Sequence, residues 1–80
     1  MFKAFILVKA VPEKTLEILE KLKKMKPVEE ADIVYGEYDV ILKTQAKLPE
    51  NLDDFVFNTL RQIDGVKSTT TCICAGSIPR

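Results

Sequence analysis

Residues 28–46 read VEEADIVYGEYDVILKTQA, and the topology turns on how this stretch divides. Val28–Tyr35 is a strand with Ala31, Ile33 and Tyr35 on one face, because side chains alternate along an extended chain. Gly36 interrupts it, and Val40–Ala46 resumes as a second apolar run rich in strand-forming residues. Too few residues separate the runs for a crossover, so they form an antiparallel hairpin. Outward from the hairpin the two halves of the chain look alike. Upstream, Phe2–Val8 is a strand, and Pro12 then opens a helix. In it Leu16, Leu19, Leu22 and Met25, with Ile18, recur at helical spacing until Pro27 ends it. Glu17–Lys21 and Glu20–Lys24 are i, i+4 pairs on its outer side. Downstream of Pro49, Leu52, Phe55, Val56, Thr59, Leu60 and Ile63 again follow a helical period, with Gly65 as the stop. Val66–Ala75 is the last strand, and Gly76–Arg80 reads as a tail.

Two βαβ units joined through a hairpin make an α+β, ferredoxin-like βαββαβ arrangement. Right-handed crossovers put both helices on one face of a four-stranded antiparallel sheet. The other face is left bare, yet the strands are apolar on both sides. Phe2, Ala4, Ile6 and Val8 point one way and Phe5 and Leu7 the other, while Val40 and Leu42 oppose Ile41. A sheet ending at water would alternate more cleanly. A partner is therefore expected on that face, and dimerisation through the sheet supplies it.

Eighty residues, 46% of them hydrophobic, fit a single domain over residues 1–80. Twelve basic and twelve acidic side chains cancel, so no overall field draws in nucleic acid or anionic lipid. Lys21, Lys23, Lys24 and Lys26 cluster at a helix C-terminus, where cations complement the dipole. No apolar run approaches the roughly 20 residues that span a bilayer, and Phe5–Val8 is too short for a signal segment. A cytoplasmic protein is expected. Cys72 and Cys74 would share one face of a strand with α-carbons roughly 6.5–7 Å apart, at the limit for bridging. They read as small hydrophobes in a reducing compartment, and their role stays open.

Catalytic constellations are scarce. The chain has no histidine, which removes the commonest base at neutral pH and the Ser-His and Cys-His nucleophile pairs. Glu29, Glu30 and Asp32 resemble solvated acids ahead of a strand. No dinucleotide, phosphate-loop or zinc motif occurs. No enzyme activity, cofactor or metal is expected. Two features remain. At Gly36-Glu37-Tyr38-Asp39 a glycine permits positive φ or close approach of a ligand, Asp39 accepts from an ammonium group and Tyr38 offers a ring and a hydroxyl. Ordinary turn chemistry also favours Gly and Asp there. At Ser68-Thr69-Thr70-Thr71, hydroxyls suited to a carboxylate coincide with plain strand propensity.

Taken together these segments resemble a known family. The run VYGEYDVILKTQA (34–46), followed by Leu60-Arg61-Gln62-Ile63-Asp64-Gly65-Val66-Lys67-Ser68-Thr69-Thr70-Thr71, is similar to the ligand-binding half of Lrp/AsnC transcriptional regulators. That half is the RAM domain, for regulation of amino-acid metabolism. The opening AFILVKA–Pro–helix fits as well, so the resemblance covers essentially the whole chain. It implies a ferredoxin-like domain that pairs through its sheet, often in rings of four dimers (an octamer), with a small effector, typically an amino acid, near the dimer–dimer interface. By motif match the ligand-binding residues are Gly36, Tyr38 and Asp39, joined by Tyr35 and by Thr69, Thr70 and Thr71. Asp39 is expected to hold the α-ammonium, so that Asp39→Ala abolishes binding without unfolding the domain.

The helix-turn-helix domain of full-length relatives does not occur in these 80 residues. The chain thus resembles the stand-alone form, with no direct nucleic-acid contact expected. Two alternatives accompany the effector-binding reading. One is an interaction-only subunit that co-assembles with full-length Lrp/AsnC regulators; the other is a small dimeric α+β-barrel enzyme.

Overall fold

The computed structural model describes residues 2–76. Of the expected tail Gly76–Arg80, everything after Gly76 lies outside the described residues. Strand β1 (Phe2–Ala10) leads through a 3-10 turn (Pro12–Lys14) into helix α1 (Thr15–Leu22), followed by strands β2 (Val28–Ile33) and β3 (Val40–Ala46). Helix α2 (Pro49–Asp54) continues through a π-helical turn (Phe55–Thr59) and a 3-10 turn (Leu60–Gln62) before strand β4 (Val66–Ile73). The strands are ordered β2-β3-β1-β4, with every neighbouring pair antiparallel. This is the ferredoxin-like α+β fold.

The differences from the expected elements lie at their ends. Helix α1 stops at Leu22 rather than Met25, because Pro27 lies just ahead and the chain tightens before it. Lys24 N–H donates to Lys21 O at 3.3 Å and Met25 N–H to Leu22 O at 3.0 Å, both three residues back. The expected Glu17–Lys21 and Glu20–Lys24 pairs do not form. Lys14 instead reaches Glu17 at 3.8 Å and Asp64 at 3.4 Å, and Lys23 reaches Glu20 at 3.5 Å. All are exposed pairs of little energetic weight. The hydrogen bond to Asp64, then the Glu17 charge, raise the Lys14 pKa above its ordinary value of 10.5. Strand β2 ends at Ile33 rather than Tyr35, since the next amide, Val34 N–H, turns to Asp39 O at 2.9 Å.

The core lies between the helices and one face of the sheet. Ile6, Val8, Val40 and Leu42 from the strands meet Ile18, Leu22, Phe55, Val56 and Leu60 from the helical segments, all buried. Thr44 is the one fully buried polar side chain named among the described residues. Its hydroxyl donates to Ala4 O at 3.0 Å. Thr44→Val keeps the shape and removes that bond, so it should cost about 1 kcal/mol of stability. Urea unfolding measures this directly. Wild-type stability in the variant would mean that Ala4 O is satisfied by the strand ladder alone.

Among the described residues no helix lies over the opposite face. Register places Phe5 between Lys43 and Cys72, and Leu7 between Ile41 and Thr70. Partners directly opposite one another point to the same side of a sheet. Phe5 is 39% exposed, with Leu7 and Ile41 half-buried beside it. The apolar patterning of both faces is therefore present, with an uncovered strip along the centre of the sheet. Cys72 lies on this uncovered side as a free thiol.

Candidate functional site

The link between β2 and β3 is held at both ends and shaped in the middle by one glycine. Gly36 has φ +123° and no atom within 4 Å of where a side chain would begin. The requirement at Gly36 is thus conformational, not steric. Tyr35, immediately before it, is fully exposed. Tyr38 behaves oppositely and folds back over the uncovered face. Its hydroxyl lies 3.3 Å from Thr70 Oγ1, joining residues 32 positions apart. The Lys9 ammonium stands 5.8 Å from the centre of the Tyr38 ring, a cation–π distance.

Asp39 is the fastener of the hairpin. Its N–H donates to Val8 O at 2.9 Å, and its carbonyl accepts from Val34 N–H. Its side-chain Oδ2 accepts from Ala10 N–H at 2.8 Å. That amide comes where β1 breaks register with β4, between Lys9 and Ala10. An irregular ladder leaves a donor unpaired, and the carboxylate fills the vacancy. One Asp39 oxygen, Oδ1, remains directed to no partner among the described residues.

The structure brings Tyr38 and Thr70 into contact, with Asp39 next along the chain and Gly36 supplying the turn. It separates the other threonines from them. Thr69 and Thr71 lie opposite Val8 and Ile6, on the helix side of the sheet, whereas Thr70 lies opposite Leu7 on the uncovered side. Three consecutive strand residues cannot all face one site. Lys9 was not among the residues singled out from the sequence. A signal existed, since Lys9 closes an otherwise apolar run and alternation puts it on the side of Phe5 and Leu7. A cleft of about 400 Å³ lies elsewhere, between the turn after α1 and α2, with Met25 and Phe55 among its lining. Its polar residues Lys26, Asn51, Asp54 and Thr59 are all exposed, and it shares no residue with the hairpin. The hairpin end of the sheet, where charged and hydroxyl groups from β1, β4 and the link between β2 and β3 converge, is the stronger candidate.

Residues 3–78 match the family model for the Lrp/AsnC ligand-binding domain. The chain belongs to the Lrp/AsnC ligand-binding domain family. An HTH-type transcriptional regulator of Pyrococcus horikoshii, PH0140, is 37% identical over 70 residues, covering 88% of this chain and 44% of that protein. The chain thus spans about half the length of the curated relatives it matches. Among solved structures, FFRP-DM1 is 39% identical with a TM-score of 0.89, covering 92% of this chain and 99% of that one. AsnC of E. coli is 26% identical with a TM-score of 0.91, covering 99% of this chain and 54% of that one. The matched curated relatives are HTH-type transcriptional regulators. Among the described residues of this Lrp/AsnC domain, no helix is long and apolar enough to cross a membrane.

Proposed function

We propose that this chain is an effector-binding and oligomerisation module that takes an amino acid at a subunit interface. The observation that carries the proposal is the Tyr38–Thr70 contact beside Asp39. It gathers a ring, two hydroxyls and a carboxylate at one end of the sheet. A free amino acid needs an acceptor for its ammonium and donors for its carboxylate. Asp39 Oδ1 serves the first, and the Tyr38 and Thr70 hydroxyls serve the second. Tyr35, fully exposed at the tip of the hairpin, suits contact with a neighbouring subunit, as large aromatic side chains do at interfaces. Thr69 and Thr71 belong to the site only if a neighbouring subunit approaches the outer edge of β4. The uncovered strip of Phe5, Leu7 and Ile41 is the surface through which two copies pair, with larger rings, an octamer among them, built from such dimers. The module acts in the cytoplasm by linkage, since an effector that binds one assembly better shifts the population toward it. A full-length Lrp/AsnC regulator is a second partner through the same sheet face.

The test is ligand-observed NMR of the purified chain against the twenty standard amino acids, with titration of each hit. At least one should bind, and Tyr38→Phe should weaken it several-fold, about the worth of one hydrogen bond. Silence across all twenty would overturn amino-acid binding and favour the interaction-only subunit. Equal affinity in Tyr38→Phe would remove Tyr38 from the site.

A further inference from the structure

We infer that Lys9 is the carboxylate anchor of the effector site, a specificity-determining residue that pairs with the α-carboxylate of the bound amino acid. The inference rests on the amino-acid-binding reading and extends it by one residue and one charge. Lys9 comes from β1 and projects onto the uncovered face, opposite Ser68 and next along from Leu7. Its ammonium is held over the Tyr38 ring at 5.8 Å. The three ion pairs among the described residues are Lys14–Glu17, Lys14–Asp64 and Lys23–Glu20. Lys9 takes part in none of them, so its charge is met by a π face and by no carboxylate.

Its surroundings favour a ligand with both signs of charge. Thr70 Oγ1 and the Tyr38 hydroxyl lie together on the same side of the sheet. Asp39 meets the backbone amide of Ala10, the residue after Lys9, through Oδ2 only. A cation and a half-used carboxylate are thus anchored on adjacent residues of β1, one by its own chain and one by hydrogen bond. An amino acid presents the complementary pair, an ammonium and a carboxylate on one carbon. A simple anion would leave Asp39 unmet, and an amine would leave Lys9 unmet. The ring contact restricts the long lysine stem before any ligand arrives, which reduces the ordering cost of using it.

The experiment compares wild type, Lys9→Met and Lys9→Arg by calorimetric titration with each amino acid that binds wild type and with its primary amide. The amide keeps the ammonium and side chain but removes the negative charge. Wild type should prefer the acid over the amide by about tenfold or more, the worth of a charge-assisted hydrogen bond. Lys9→Met should bind the acid about tenfold more weakly and lose that preference, while Lys9→Arg recovers much of it. A merely structural lysine would weaken acid and amide alike, and that result would overturn the assignment, as would unchanged affinity in Lys9→Met. No binding by wild type would overturn the amino-acid reading itself and this assignment with it. Normal wild-type binding with a Lys9-independent preference for the acid would leave the amino-acid reading standing and remove Lys9 alone. Circular dichroism of Lys9→Met checks that the fold is retained, and Lys9→Arg keeps the test decisive if it is not.

Discussion

Gly65→Ala should lower the unfolding free energy by about 2–4 kcal/mol, combining backbone strain with overpacking. Gly65 ends the helical stretch after Leu60–Gln62 and lies beneath the start of α1, where its carbonyl accepts from Val11 N–H at 2.8 Å. Its φ is +97°, a conformation that L side chains rarely adopt. An added Cβ would also come within 2.5 Å of Lys14 Cβ, 2.8 Å of Lys14 Cγ and 3.2 Å of Ile18 Cδ1. The lysine tip could swing away, but its Cβ is fixed to the turn that leads into α1. Gly36 is the control, since it shares the positive φ but has nothing within 4 Å. Gly36→Ala should therefore cost only the conformational part, about 1–2 kcal/mol. Urea unfolding at one protein concentration compares the two, because any oligomer makes stability concentration-dependent. Equal losses in the two variants would show that the close approach to Lys14 relaxes freely.

Asp39→Ala should act twice, removing amino-acid binding and costing about 1–3 kcal/mol of stability. The structure adds a stability cost to the expected loss of binding. Asp39 Oδ2 is the acceptor for Ala10 N–H, and Ala10 is only 3% exposed, so truncation leaves a nearly buried donor unmet. Asp39→Asn separates the two roles. An amide oxygen can still accept from Ala10, so stability should stay within about 1 kcal/mol of wild type, while the lost charge weakens binding about tenfold or more. Thermal unfolding and amino-acid titration of both variants provide the readouts. If Asp39→Asn binds as wild type does, the carboxylate serves only to close the end of β1.

Strand and helix identities were legible because burial imposes a period on residues such as Ala4, Ile6 and Val8, or Ile18 and Leu22. The hairpin was legible because Gly36 breaks a pattern too short to hide a crossover. Helix ends were less so. Hydrophobic spacing continues through Met25 and through Thr59, but α1 tightens ahead of Pro27 and α2 widens into a π turn at Phe55–Thr59. Local hydrogen bonding decides such ends, and side-chain periodicity carries no record of it.

By itself the sequence determined the topology, the apolar character of both sheet faces and the chemical types gathered around the hairpin, since each is written in local spacing. Only the tertiary structure decided which threonine meets Tyr38, that Asp39 is partly spent on Ala10, and that Lys9 stands over the tyrosine ring. Those contacts join β1, the hairpin and β4, segments far apart in the chain. Their pairing depends on strand register and on one irregularity between Lys9 and Ala10, and a shift of one residue would turn every one of these side chains to the other face.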